Sequence, residues 1–144
     1  MKKITLFPGS FSPFTNGHLH ILKKALKIFD IVYIGIGENS TKKNLMPVYE
    51  REKIIRNKTK KIKNIKIINY KGLTVEFCKK NKIKFIIRGL RDFKDFEFEK
   101  EIYHVNKSLN NNIETIYFMS DQDKTEIKSS LKYQIKSNKY LILG

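Results

Sequence analysis

Phe7-Pro8-Gly9-Ser10-Phe11-Ser12-Pro13-Phe14-Thr15-Asn16-Gly17-His18 is the stretch of this chain best furnished for chemistry. An apolar run with strand character, Ile4 to Phe7, enters it, and Pro8-Gly9 predicts a tight turn. Gly17-His18 then opens a helical pattern. A strand, a bent loop and a helix start in quick succession build an anion site, because unsatisfied backbone N–H groups and the positive end of the helix dipole converge there. His18, in the first helical turn, faces that anion. Taken alone, a helix-opening histidine is usually only a cap or a surface group; the joint pattern is far less common.

Arginine is the second signal. The chain has 26 Lys against 4 Arg, and two of those four, Arg88 and Arg91, bracket Arg88-Gly89-Leu90-Arg91. Guanidinium forks suit phosphate oxygens, and Gly89 between them is expected to let backbone approach a ligand. Further on, Glu99, Ile102 and Asn106 stand at i, i+3 and i+7, on one face of a predicted helix. That face offers an acid, an apolar group and an amide together. No cluster of His, Cys or carboxylates has transition-metal spacing.

The elements that must position these residues alternate. Strand-like runs dense in Ile, Val and Phe fall at Lys3 to Phe7, Ile31 to Ile36, Ile65 to Asn69, Ile83 to Ile87 and Ile113 to Phe118. Helical patterns lie at Gly17 to Phe29, Pro47 to Lys61, Leu73 to Lys80 and Asp92 to Asn110, with a last one from about Ile127 to Ser137. The expected fold is α/β: a Rossmann-like, doubly wound, five-stranded parallel sheet with right-handed crossovers and helices on both faces. The loops after the strands, Gly9 to Asn16, Gly37 to Met46, Tyr70 to Gly72, Arg88 to Arg91 and Ser120 to Glu126, then open on one edge, where ligands bind in such sheets.

At 144 residues the whole chain, 1–144, reads as one domain able to bury about two-thirds of its unfolded surface. The formal charge of +16, with 12 Asn and 21 Ile, fits a compositional bias. Lys53, Lys58, Lys60, Lys61 and Lys63 scatter over a helix face instead of forming arginine forks and aromatic platforms, so no specific nucleic-acid partner is expected. The single cysteine, Cys78, reads as a small apolar residue on a helix and argues for a reducing compartment. The apolar start is too short for a signal peptide, and no run approaches the ~18 residues of a membrane span. A soluble, cytoplasmic chain with no membrane partner is expected.

Thr15-Asn16-Gly17-His18 resembles the [His/Thr]-x-Gly-His signature of the nucleotidylyltransferases. Ser40-Thr41-Lys42-Lys43, Arg88-Gly89-Leu90-Arg91, Asp95-Phe96-Glu97-Phe98-Glu99 and Ser129-Ser130-Leu131 extend the likeness in register from Phe7 to Leu131, and they resemble the phosphopantetheine adenylyltransferase family. That resemblance implies transfer of the adenylyl group of ATP to 4′-phosphopantetheine, with dephospho-coenzyme A and pyrophosphate as products. It implies His18, Lys42 and Arg91 as catalytic residues, without a covalent histidine intermediate. It puts Ser10, Lys42, Leu73, Thr74, Arg88, Ile102 and Asn106 on phosphopantetheine. It puts Ser10, Phe11, His18, Gly89, Leu90, Arg91, Glu99, Lys124, Thr125, Glu126, Ile127, Lys128, Ser129 and Ser130 on ATP. Mg²⁺ held mainly through substrate phosphates, with no protein ligand named, and a homohexamer are implied as well.

The sequence departs from the family pattern at Phe7 for tyrosine, Ser12 for aspartate, Lys124 for an aromatic residue, Lys128 for serine and Gln134 for glutamate. Nicotinate mononucleotide adenylyltransferases and glycerol-3-phosphate cytidylyltransferases share the fold, but their late motifs are absent from Ile127-Lys128-Ser129-Ser130-Leu131-Lys132. A degenerate lysine-rich nucleic-acid binder on the same fold is the alternative of another class; the His18, Lys42, Arg88, Arg91 and Glu99 set opposes it.

Overall fold

The computed structural model describes residues 1–120. Five parallel strands alternate with four helices: β1 (Ile4–Gly9), α1 (Asn16–Ala25), β2 (Ile31–Glu38), α2 (Val48–Thr59), β3 (Ile65–Lys71), α3 (Thr74–Lys80), β4 (Phe85–Leu90), α4 (Phe93–Leu109) and β5 (Glu114–Met119). Their order in the sheet is β3-β2-β1-β4-β5. The chain runs outward from β1 in one direction, then returns to the other side of β1 as β4. The gap between the carboxyl ends of β1 and β4 is therefore the topological switch point, where open parallel sheets bind ligands. The expected helix at about 127–137 lies outside the described residues.

Side-chain alternation along the central strands fills a core on each face of the sheet. Phe7 and Ile87 point into one, with Ile21, Leu22 and Ala25 of α1, Ile55 of α2, and Phe11, Phe14, Val32, Ile34 and Ile36. Leu6 and Ile86, one residue earlier in each strand, point into the other with Val75 and Cys78 of α3, Ile83 and Ile113. Cys78 is inert packing, its thiol pushed up to about 12 by burial. Thr5 is fully buried, and its hydroxyl donates to the Phe85 carbonyl at 2.9 Å, joining β1 to the start of β4.

Two expectations need correction. Pro8-Gly9 is not a turn but the end of β1, in register with Gly35 and Ile36 of β2. Proline is tolerated there because the β1–β4 ladder is registered only at Leu6 and Ile86, so no strand partner awaits the missing N–H. Likewise Arg88, Gly89 and Leu90 are strand, paired with Tyr117, Phe118 and Met119 of β5. Extended backbone fixes their directions more tightly than a loop would. On α4, Phe93, Phe96 and Leu109 are exposed, Phe93 to 70%, so these side chains lie outside the core.

Gly89 serves packing first. A Cβ there would lie 2.9 Å from Cγ1 of the buried Ile21, so α1 sits directly on β4 at this point. Gly89→Ala should cost about 1–3 kcal/mol through overpacking, read as a lower midpoint in denaturant with an unchanged slope. A neutral substitution would mean that α1 yields freely at this crossing.

Candidate active site

A cleft of about 1070 Å³ opens over the carboxyl ends of the strands, with its floor at the switch point. Among the residues singled out from the sequence, Ser10, Phe11, His18, Lys42, Thr74, Arg88, Gly89, Arg91, Glu99, Ile102 and Asn106 line it. Leu90 does not. Strand alternation turns it away from Gly89 into a smaller cleft of about 310 Å³ with Phe96 and Tyr103. Leu73, the N-cap of α3, is exposed beside Thr74 without lining the large cleft. Lys124, Thr125, Glu126, Ile127, Lys128, Ser129 and Ser130 lie outside the described residues, as does Gln134.

His18 is locked into one role. Thr15 is the N-cap of α1, and its hydroxyl accepts from the His18 backbone N–H at 3.3 Å. In return, His18 Nδ1 accepts from the Thr15 backbone N–H at 2.9 Å, completing a capping box with histidine in the place usual for glutamate. A nitrogen that accepts carries no proton, so the neutral ring bears its proton on Nε2. Three aromatic rings pack around the imidazole: Phe11 at 5.1 Å, Phe14 at 5.4 Å and Phe7 at 6.2 Å between centroids. Burial among them, then the charges of Arg88, Arg91 and Lys58, bring the His18 pKa down from 6.5 to about 4.

Above pH 6.5 His18 is neutral in the folded and unfolded chain alike. Between 6.5 and about 4 only the unfolded chain takes up the proton, so the His18 contribution to stability is lost as pH falls through that window. In ¹⁵N-edited spectra of the imidazole, His18 should remain the Nε2–H tautomer from pH 8 to 5. A midpoint near 6.5, or a proton on Nδ1, would contradict this arrangement.

The two arginines are held differently. Arg88 places Nε 3.0 Å from Glu99 Oε1 and Nη2 2.6 Å from the same oxygen, while Nη1 donates to the Pro8 carbonyl at 2.9 Å. Glu99 is only 5% exposed, so this is a largely buried ion pair whose carboxylate aims the guanidinium from behind. Two N–H bonds of the fork remain beyond these three. Tyr117, whose hydroxyl donates to the Glu99 carbonyl at 3.2 Å, is pushed up to about 12 by burial and by the Glu99 charge. Arg91 lies nearer solvent, and Asp95 grips it from the first turn of α4 at 2.9 and 3.1 Å. The Asp95 carboxyl is held below the usual range chiefly by that hydrogen bond from Arg91. Asp95 is itself placed by the N-cap Asp92, whose side chain accepts from the Asp95 N–H at 2.9 Å.

On the opposite wall Lys42 Nζ donates to the Ser10 hydroxyl at 3.0 Å, closing the loop after β2 onto the loop after β1. Ser12 adds a second tie: its hydroxyl accepts from the Met46 N–H at 2.8 Å. Glu99, Ile102 and Asn106 present one face of α4 to the cleft, as their spacing predicts, and Thr74 faces it from α3 with its hydroxyl 2.8 Å from that of Tyr70. Sequence reasoning quoted Asp95 in a motif but missed its pairing with Arg91, and it missed the roles of Tyr70 and the aromatic enclosure of His18. It also missed Arg51, which lies behind the cleft. Its own scarcity argument, four arginines in a lysine-rich chain, could have singled Arg51 out.

Among the described residues no group of three or more His, Cys, Asp or Glu could hold a metal ion. The carboxylates lining the cleft are engaged: Glu99 with Arg88, Asp95 with Arg91, Glu38 with Lys71. The arrangement is cationic around a neutral hydrogen-bond donor, which suits polyanions.

Comparison with known proteins agrees with this chemistry. Residues 6–134 match the cytidylyltransferase-like family. A phosphopantetheine adenylyltransferase of Vesicomyosocius okutanii is 42% identical over 135 residues, covering 94% of this chain and 85% of that protein. One from Clostridium tetani is 43% identical over 132 residues, covering 92% and 82%. Among solved structures, a bifunctional NMN adenylyltransferase/ADP ribose pyrophosphatase from Francisella tularensis superposes with a TM-score of 0.60 at 19% identity, over 96% of this chain and 43% of that one. A lipopolysaccharide core biosynthesis protein from Thermoplasma volcanium also gives 0.60, at 18% identity over 83% and 98%; at such identities the likeness speaks for the fold alone. Relatives this similar over nearly the whole chain, together with a histidine-capped cationic cleft at the switch point, place the protein in the cytidylyltransferase-like family and, within it, among the phosphopantetheine adenylyltransferases.

Proposed function

We propose that this chain transfers the adenylyl group of ATP to the phosphate of 4′-phosphopantetheine, forming dephospho-coenzyme A and releasing pyrophosphate. The observation that carries this reading is the convergence of His18, Lys42, Arg88 and Arg91 on one cleft at the switch point. A phosphate oxygen of phosphopantetheine attacks the α-phosphorus, and the bond to the bridging oxygen of pyrophosphate breaks on the far side. Both reactants are anions, so the protein's task is to clamp them in line and to neutralise charge on the five-coordinate phosphorus.

His18 donates Nε2–H to an α-phosphate oxygen, and its neutrality means that it stabilises charge without transferring a proton. Lys42, tethered to Ser10, bridges attacking phosphate and α-phosphate as a mobile point charge. Arg88 holds the phosphopantetheine phosphate with the N–H bonds that Glu99 and Pro8 leave over, and Arg91 lies on the nucleotide side with Gly89. Thr74, Ile102 and Asn106 line the pantetheine arm, with Leu73 at its mouth. Mg²⁺ carried by the phosphates of ATP would screen their charge; among the described residues no group of three or more His, Cys, Asp or Glu is arranged to hold it.

A homohexamer in the cytoplasm belongs to the same reading. The exposed apolar residues of α4 support self-association, and among the described residues no helix is long and apolar enough to cross a membrane. The function is tested by incubating the protein with ATP, Mg²⁺ and 4′-phosphopantetheine and identifying products by mass. Dephospho-coenzyme A is expected, with no product from nicotinate mononucleotide or from CTP and glycerol 3-phosphate. Turnover of either control in preference would sink the assignment.

A further inference from the structure

Arg51 lies in the first turn of α2 and is only 3% exposed. Its Nη1 donates to the Ser10 carbonyl at 2.8 Å and points to the Gly37 carbonyl at 3.4 Å. Nε is buried and has no acceptor among the described residues. No carboxylate there is paired with the guanidinium either. An isolated buried charge is costly, and two carbonyl dipoles offset it only in part.

The two carbonyls belong to the segments that form one wall of the cleft. Ser10 follows β1, and Gly37, the penultimate residue of β2, leads into the loop that carries Lys42. Lys42 in turn bonds the Ser10 hydroxyl at 3.0 Å. Arg51 thus lies directly behind the Ser10–Lys42 pair and ties together the backbones that present it. A planar fork is suited to reaching two carbonyls at once, which a single ammonium does less well.

We propose that Arg51 is a positioning residue for phosphate binding: it fixes Ser10 and Lys42 in register on one wall of the cleft, and its own unbalanced charge is offset by the phosphates that they bind. This rests on the adenylyl-transfer reading of the cleft. It explains why one of only four arginines is spent inside the protein, where an apolar side chain would cover the same space without the cost of burying a charge.

The test combines a binding arm and a kinetic arm, on wild type, Arg51→Met, Arg51→Lys, Lys42→Ala and the Arg51→Met/Lys42→Ala double variant, all below their melting temperatures. By calorimetry, inorganic tripolyphosphate should bind about tenfold or more weakly to Arg51→Met, with Arg51→Lys in between. In the kinetic arm the double variant should be scarcely slower than Lys42→Ala alone, because Arg51 acts through that pair. If Arg51→Met does not fold, Arg51→Lys takes its place in the cycle. A purely structural arginine would lower the melting temperature yet leave tripolyphosphate affinity unchanged per folded molecule, and its kinetic effect would add to that of Lys42→Ala; either result overturns the proposal. Wild-type turnover, measured alongside, separates this failure from failure of the adenylyl-transfer reading, and the binding arm needs no turnover.

Discussion

His18→Ala should lower kcat by on the order of 10²-fold or more while leaving the KM for ATP nearly unchanged. The imidazole is oriented before substrate arrives, by the Thr15 N–H on Nδ1 and by Phe7, Phe11 and Phe14 around the ring. A donor fixed in this way gains most where charge develops, at the transition state, so its removal appears in kcat and little in binding. The His18 side chain also closes the α1 capping box, so a loss of about 0.5–2 kcal/mol in stability accompanies the change. Steady-state kinetics on the folded variant separate the two effects. Near-normal kcat would remove His18 from the mechanism.

Arg88→Met should be the most damaging single change to the fold of the site. It strands the Glu99 carboxylate, 5% exposed, without its cation. Breaking a buried ion pair from one side costs about 3–5 kcal/mol, on the order of 10 °C in Tm for a domain of this size. Adding Glu99→Leu should restore most of that stability, because an apolar pair of similar volume replaces both charges. Activity should not return with it, since the fork on the phosphopantetheine phosphate is gone. Thermal melts and kcat/KM for phosphopantetheine on the two variants decide the matter: a stable, active double variant would make Arg88–Glu99 a structural pair only.

The strands and the convergence of their loops were legible in the sequence because parallel strands covered by helices are written in runs dense in Ile, Val and Phe. α4 was legible to its caps, Asp92 and Asn110. Pro8 misled because proline reads as a turn former, while the place where a neighbouring ladder stops pairing is a property of the sheet and not of the segment. Glu99 was expected on ATP from its helical face; that face does reach the cleft, and the carboxylate is already paired there with Arg88, eleven residues away across a strand-to-helix connection. The low pKa of His18 was illegible for a related reason. Phe7, Phe11 and Phe14 lie within one short stretch of sequence, but their closure over the imidazole depends on a loop in which Phe11 adopts φ of 49°. Arg51 is the plainest omission, since only the fold reveals that it is buried between two carbonyls.

The proposed reaction is a direct, in-line transfer in this cleft with no protein nucleophile. Transfer from ATP carrying a single-isomer sulfur substitution at the α-phosphorus to 4′-phosphopantetheine tests it most directly, with the configuration of the thio-dephospho-coenzyme A read by ³¹P NMR. Inversion at phosphorus is the predicted result. Retention would require an adenylylated protein intermediate and would contradict the account, as would the absence of the dephospho-coenzyme A product from both this substrate and unmodified ATP.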